Sequence, residues 1–212
     1  MASEIFEAIR SGNAERVKQL IAGNPALARE CDNSGVSAIM QARYQRQMAI
    51  VGLLRPAAGE LDVFEAAALG DISRLRSLLQ EQPEAICAFS ADGFTALHFA
   101  AFFAQPTAAE ELLNNGADPN AVATNGTKLA VINSAAASGN AAVVQMLLRD
   151  GANPDAQQEG GFTALHAAAQ HNHVEMVRAL LEAGADASIR TKDGKTAAEM
   201  AGPEVAALLS QA

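Results

Sequence analysis

The chain contains one hexapeptide twice in nearly the same form, as Gly93-Phe94-Thr95-Ala96-Leu97-His98 and as Gly161-Phe162-Thr163-Ala164-Leu165-His166. Each copy is soon followed by an alanine pair, then by Leu-Leu, and then by Gly-Ala-Asp. A third copy of the closing segment, without the hexapeptide, ends in Gly151-Ala152-Asn153. The chain is therefore built from internal repeats.

Glycine spacing gives the length of the repeat. Gly93, Gly126, Gly161 and Gly194 are separated by 33, 35 and 33 residues, and a period near 33 is typical of a unit with a turn and two helices. A second pattern lies upstream, where four residues recur 58 positions later. They are Phe6, Gly12, Pro25 and Gly35, which return as Phe64, Gly70, Pro83 and Gly93. The N-terminal half therefore resembles a two-repeat unit used twice.

With the Thr-Ala-Leu-His and Gly-Ala-Asp motifs at this separation, almost the whole chain resembles ankyrin repeat proteins. The resemblance implies an all-α fold, a solenoid of stacked helix-turn-helix units with β-hairpin fingers, in a single domain over residues 1–212. We expect six repeats and a C-terminal capping repeat. The repeats span residues 4–32, 33–60, 61–90, 91–123, 124–158 and 159–189, and the capping repeat spans residues 190–212.

Some positions support the pattern and others depart from it. We expect Thr95 to cap its helix and His98 to bond to neighbouring backbone, as in the family. In the fifth repeat, Asn133 stands at the histidine position and two extra residues fall within 124–130, which predicts a longer finger. In the second repeat, Pro56 is expected to end the second helix because proline has no N–H to donate.

Charge and hydropathy exclude several classes of protein. The net charge is −9. Residues 1–60 hold seven basic and six acidic residues, whereas residues 61–212 hold eight and eighteen. An acidic body disfavours nucleic acid and anionic membranes as partners. No apolar run reaches the roughly 18–20 residues of a membrane span. The sequence starts without a basic region followed by an apolar run, so we expect no secretory signal, a cytoplasmic location and reduced cysteines.

The motifs give little support to an enzyme. His98 and His166 occupy the family's scaffold position. His171 and His173 are two residues apart, with no cysteine nearby to complete a familiar zinc set. We find no nucleophile–base pattern and no phosphate-binding glycine loop. The sequence therefore predicts no catalytic residue, no metal site and no cofactor.

The resemblance implies that partners bind on a concave face formed by the finger tips and the ends of the first helices. Phe102 and Phe103, with Phe94, would bring three rings to the middle of that face, and exposed aromatic clusters usually mark interfaces. Adjacent side chains on a helix point about 100° apart, so burial of one ring between repeats is an alternative. Phe94 and Phe162 recur at one position, which also fits packing against the next finger. The candidate partner-binding residues are Tyr44, Leu69, Phe94, Phe102, Phe103, Ser138, Phe162, Gln170 and His171.

The sequence thus predicts a non-enzymatic protein-interaction module whose partner is an unknown protein, with a monomer favoured. Two alternatives remain at this stage. One is a homo-oligomeric scaffold that associates through Phe102 and Phe103. The other is a small-ligand or enzymatic role in the groove. Arg43 and Arg46 flank Tyr44, and they would either attract an acidic partner or form a solvated helix end.

Overall fold

The computed structural model describes residues 3–210, and that part of the chain contains thirteen α-helices. None of these helices is long and apolar enough to cross a lipid bilayer. Three short 3-10 helices, Pro25–Arg29, Pro83–Cys87 and Ala198–Met200, complete the helical elements of the described residues. The α-helices are α1 Glu4–Arg10, α2 Ala14–Gly23, α3 Ala38–Tyr44, α4 Met48–Ala58, α5 Val63–Leu69, α6 Ile72–Glu81, α7 Ala96–Phe102, α8 Pro106–Asn114, α9 Val131–Ala137, α10 Ala141–Arg149, α11 Ala164–Gln170, α12 Val174–Glu182 and α13 Pro203–Leu209.

The first twelve helices form six antiparallel pairs that stack side by side. The first helix of each pair (α1, α3, α5, α7, α9 and α11) has seven residues, and each contacts the first helix of the next pair. Most second helices also contact their neighbours. The result is two layers of helices, as the resemblance implies. The doubled N-terminal unit is confirmed, because α1, α2 and the first 3-10 helix are repeated as α5, α6 and the second.

Alanine and leucine divide the core between the two layers. The second helices bury a leucine seven residues after their N-cap, where it packs along the stack. These leucines are Leu54, Leu78, Leu112, Leu147 and Leu180. The first helices bury alanines whose side chains are 0% exposed, which lets neighbouring backbones approach closely. These alanines include Ala66, Ala67, Ala100, Ala135 and Ala168.

Capping residues set where the first helices begin. In α7, Thr95 and His98 form a reciprocal capping box, as the motif predicts. The third pair lacks the Thr-x-Leu-His motif, yet α5 has an equivalent box. The side chain of Asp62 accepts from the N–H of Glu65 at 2.7 Å, and the carboxylate of Glu65 accepts from the N–H of Asp62 at 3.2 Å. An acidic pair thus replaces threonine and histidine at this position.

The loops that enter the first helices turn back on themselves, and we call them fingers. They span residues 31–37, 90–95, 122–130, 158–163 and 191–196. In the second of these, Ser90 N donates to Phe94 O and Gly93 N donates to Ser90 O, both at 2.9 Å. In the finger of the fifth repeat the corresponding bond joins Ala123 N to Leu129 O at 2.8 Å and encloses two more residues. The predicted longer finger is confirmed.

The third pair has no finger. Only residues 59–62 connect α4 to α5, so the fingers before α3 and α7 become neighbours. A Cβ added to Gly35 would lie 2.6 Å from the Cβ of Ala91, which shows how closely these two fingers approach. The following fingers are joined by backbone bonds, from Thr124 N to Gly93 O at 2.9 Å and from Lys192 N to Gly160 O at 3.0 Å.

The expectation for Pro56 was wrong, because α4 continues through it to Ala58. The missing N–H removes one helical bond, but two arginines hold the last turn. Arg29 Nε donates to Ala58 O at 2.6 Å, and an Arg55 NH group donates to Gly59 O at 2.9 Å. These bonds replace backbone partners at the helix end, so the helix ends two residues after the proline.

Gly93→Ala is expected to destabilise the protein more than Gly194→Ala. Both glycines have φ near +80° (+84° and +78°), but an added Cβ at Gly93 would lie 2.9 Å from Asn125 N, while Gly194 has open space. We expect losses in unfolding free energy of about 2–3 kcal/mol at Gly93 and about 1 kcal/mol at Gly194, measured by chemical denaturation. Equal losses would contradict the close approach between the fingers.

Candidate functional site

The structure brings four of the predicted partner-binding residues into one cluster. Tyr44 and Phe94 are half-buried, Phe102 is 40% exposed and Phe103 is 8% exposed. Of the two adjacent phenylalanines, Phe103 is therefore the buried one. Ser138 lies beside them and donates its hydroxyl to Ala101 O at 3.0 Å.

The remaining predicted residues lie outside this cluster. Leu69, at the end of α5, is half-buried against the core. Phe162 stands in the finger before α11, with its ring centroid 5.8 Å from that of His166. Gln170 and His171 are exposed at the end of α11. They occupy the same side of the stack as the cluster, two repeats further along.

Phe99 is the centre of the aromatic cluster, and the sequence analysis missed it. Its centroid lies 5.8 Å from Phe94, 6.0 Å from Phe64 and 6.3 Å from Tyr44. The Phe102 and Phe103 rings meet edge to face at 5.0 Å, a favourable aromatic arrangement. A sequence signal did exist, because Phe99 precedes Phe102 by three residues and Phe103 by four. This helical spacing puts all three on neighbouring positions of one helix side.

The cluster borders an apolar pocket of about 80 Å³ between the fingers and the first helices. This volume is well below the roughly 300–1,000 Å³ of small-molecule sites, so the pocket suits a single large side chain. Phe102 forms its exposed edge. The pocket is lined by Tyr44, Phe94, His98, Phe99, Phe102, Leu129 and Ser134.

Tyr44 reaches this pocket because the third pair has no finger. Its hydroxyl donates to Asp92 in the finger before α7 and so spans from the second pair to the fourth. Burial, reinforced by that hydrogen bond, raises the pKa of Tyr44. The phenol therefore remains a donor, and Asp92 remains the acceptor, which also accepts from Ser90 Oγ at 2.6 Å.

Two arginines border the cluster on the side away from the fingers. Arg43 lies over the Phe103 ring at 4.4 Å, donates from Nε to Ala68 O at 3.2 Å and donates from its terminal nitrogen to Phe103 O at 3.1 Å. Burial lowers the pKa of this guanidinium. Arg46 is exposed. Both arginines, with Tyr44 and Phe102, line a second and larger hollow of about 330 Å³.

His98 is both a pocket wall and a scaffold residue. Its Nδ1 accepts from Thr95 N at 3.3 Å and lies 2.7 Å from Thr95 Oγ1, while Nε2 lies 3.0 Å from Leu129 O in the next finger. These contacts fit the neutral ring with its proton on Nε2. Burial lowers the pKa of His98 to about 4. The histidine thus links two repeats as an uncharged group, as predicted for the scaffold position.

Equivalent groups perform this role in the next two repeats. Asn133 takes the histidine position as predicted, accepting from Ala130 N and donating to Ala156 O, both at 3.1 Å. His166 contacts Lys195 O at 3.2 Å, and burial lowers its pKa as well. Within residues 3–210, no group of three or more His, Cys, Asp or Glu side chains is arranged to hold a metal ion.

Acid is expected to destabilise the protein through His98. Its folded-state pKa lies below the ordinary value of about 6.5, so its contribution is complete above that value. The contribution is lost as the pH falls to about 4. We expect a loss of up to about 3 kcal/mol in unfolding free energy. His98→Asn copies the bonds of Asn133 without a titrating ring and should flatten this pH dependence in denaturation experiments. If the unfolding free energy of His98→Asn fell with pH as steeply as that of the native chain, His98 would not be the group that makes the protein sensitive to acid.

Tyr44→Phe is expected to reduce the unfolding free energy by about 1–2 kcal/mol, because it removes a hydrogen bond to a carboxylate that joins two non-adjacent repeats. A double-mutant cycle with Asp92→Ala, read by chemical denaturation, isolates that contact. We expect a coupling energy of about 1 kcal/mol. A coupling energy near zero would show that the two side chains do not interact in solution.

Comparisons with known proteins agree with this geometry. The family model described as "Ankyrin repeats (3 copies)" matches residues 5–123 and 132–211. The gap between the two matched regions, residues 124–131, covers most of the longest finger and the first residue of α9. Among curated relatives, the probable E3 ubiquitin-protein ligase XBOS31 of Oryza sativa subsp. japonica is 38% identical over 130 residues, covering 60% of this chain and 29% of its own length.

Two further relatives extend the comparison. The SH3 and multiple ankyrin repeat domains protein 2 of Homo sapiens is 30% identical over 142 residues, 67% of this chain and 8% of its own length. The ankyrin repeat-containing protein P1E11.10 of Schizosaccharomyces pombe is 40% identical over 62 residues, 29% of this chain and 30% of its own length. The chain thus spans less than a third of these relatives. Since the family model matches nearly all of the sequence and the helix pairs stack as that family's do, the chain belongs to the ankyrin repeat family.

Proposed function

We propose that this chain recognises a partner protein through the face formed by its fingers and first helices, with the aromatic pocket as the main contact. Ankyrin repeats are generally protein–protein interaction modules. The observation that carries the proposal is the exposure of Phe102, at 40%, on the edge of an aromatic cluster whose other rings are buried or half-buried. Large apolar groups exposed at a preformed pocket are typical of interface hot spots.

The pocket is suited to this role because most of its wall is already ordered. Phe99 and Phe103 are buried, and Tyr44 is tied to Asp92. A partner that inserts a side chain therefore loses its own conformational freedom but does not have to order the pocket. Phe103 supports the site from beneath, whereas Phe102 touches the partner directly.

The other predicted positions form the outer part of the same surface. Leu69 and Ser138 lie on either side of the pocket, and Phe162, Gln170 and His171 extend the surface towards the C-terminal repeats. Residues 1–212 act as one ankyrin domain in the cytoplasm, by binding and without a cofactor or a catalytic step. The net charge of −9 favours a protein partner over nucleic acid or an anionic membrane.

Phe102→Ser is expected to abolish most partner capture by the immobilised protein from native cytosol, as read by quantitative mass spectrometry. Phe89→Ser is the matched control, because Phe89 is 44% exposed and lines a different hollow, together with Ile86 and Val122. Phe103 is left unchanged since its burial makes its replacement destabilising. A protein captured by the native chain and by Phe89→Ser, and lost with Phe102→Ser, identifies the partner.

Equal capture by the native chain and both variants would contradict a role for the pocket. Light scattering of the same three proteins separates recognition of a partner from self-association. If the native chain and Phe89→Ser had twice the monomer mass and Phe102→Ser had the monomer mass, the homo-oligomeric scaffold would be supported instead. We expect all three proteins to have the monomer mass.

A further inference from the structure

The charges around the pocket are distributed unevenly, and this bears on what the partner presents there. Arg43 and Arg46 lie at the ends of the first helices, and Asp92 lies in the finger on the opposite side. Elsewhere the basic residues are outnumbered, since residues 61–212 hold eight basic and eighteen acidic side chains. The arginines therefore form a local basic edge on an acidic protein.

Neither arginine is neutralised by the chain itself. Seven ion pairs occur among residues 3–210, and none of them includes Arg43 or Arg46. Arg43 instead donates to two carbonyl oxygens and to Met48 Sδ at 3.5 Å. A guanidinium has five N–H groups, so two of them remain for another acceptor. The ring of Phe103 and the two carbonyls hold this charge in a fixed position.

Arg46 occupies a backbone position that most repeats give to a residue with little or no side chain. It lies in the turn between the two helices of its pair and has φ 57°. The equivalent turns contain Gly12, Gly70, Ala104, Gly139 and Asn172, all with positive φ. A left-handed conformation is unfavourable for a long side chain, so the arginine at this position is consistent with a use for that side chain.

The apolar pocket and the basic hollow adjoin one another. Tyr44 and Phe102 line both of them, so an apolar group in the pocket would lie beside the two guanidiniums. On the finger side, Asp92 accepts a hydrogen bond from the pocket residue Tyr44, so a second carboxylate there would be repelled. The surface therefore favours an anionic group only on the side of Arg43 and Arg46.

We infer that the partner presents a short segment with one large apolar side chain, which enters the aromatic pocket, and a neighbouring carboxylate, which pairs with Arg46 and Arg43. This inference rests on the proposed function and specifies its partner. The apolar side chain supplies most of the affinity, because it is desolvated in the pocket. The carboxylate fixes the direction of the segment, with its acidic side towards the helix ends, and excludes basic segments.

The test uses a display library of random dodecapeptides selected on the chain of residues 1–212. Enriched peptides are expected to share a large apolar residue with Asp or Glu within about three positions, the reach of an extended segment between the pocket and the arginines. One enriched peptide, labelled with a fluorophore, is then titrated against the native chain and its variants by fluorescence polarisation.

Arg46→Gln is expected to weaken peptide binding about fivefold, as for one exposed ion pair, and to reduce the salt dependence of binding. Arg46→Gly removes the same charge and relieves the left-handed backbone, so it should weaken binding equally while folding at least as stably as the native protein. Arg178→Gln is the control, because it removes the same charge from an exposed position on α12, and it should leave binding unchanged. Phe102→Ser should abolish binding.

Three results would overturn the inference. The enriched peptides could lack an acidic residue and bind in a manner that depends on Phe102 but not on Arg46. The proposed function would then stand, but the partner would not present a carboxylate. If no peptide that depends on Phe102 were enriched, the partner would not bind through a short segment. The capture experiment would then decide the proposed function separately. A dimer of the unliganded chain that dissociates in Phe102→Ser would place a second copy in the pocket.

Discussion

Each first helix in this structure has seven residues, about two turns, which is too short to persist in water by itself. Its stability comes from contact with the helices before and after it in the stack. Most of the alanines on these helices are buried, so the backbones approach closely, and small residues at the buried positions are a requirement of the architecture. A change that prevents the close approach acts on two neighbouring repeats at once.

The missing finger of the third pair determines where the candidate site lies. It brings the fingers before α3 and α7 together and leaves space above α5 into which Tyr44 extends. Arg43 crosses the same gap and reaches both the third pair, at Ala68, and the fourth, at Phe103. The aromatic pocket is thus lined by residues of the second, fourth and fifth repeats, and it exists only when these repeats are stacked.

Scaffold and site share most of their residues. His98 joins its helix to the next finger and also lines the pocket, while Phe99 packs against rings from the second, third and fourth pairs. Substitutions at these positions therefore change stability and recognition together. Phe102 and Arg46 are the exceptions, because their side chains extend from the packed cluster towards solvent.

The sequence by itself determined the repeat, the family, the scaffold role of His98, and the longer finger of the fifth repeat, which Asn133 helps to anchor. These features depend on residues within one helix-turn-helix unit, where spacing and capping chemistry are local. The acidic cap of α5 was also local, but it uses a different residue pair from the motif. Pro56 was misjudged because one of the two arginines that support its helix end, Arg29, belongs to the preceding repeat unit.

Only the tertiary structure decided which phenylalanine is buried, that Phe99 is the centre of the cluster, and that Tyr44 pairs with Asp92. Tyr44 and Asp92 are 48 residues apart, and no local pattern links them. Their contact depends on the stacking of three repeats and on the absence of a finger between them. Side-chain burial in a solenoid is decided by the neighbouring units, so the period of the sequence predicts the stack but not the pocket that the stack creates.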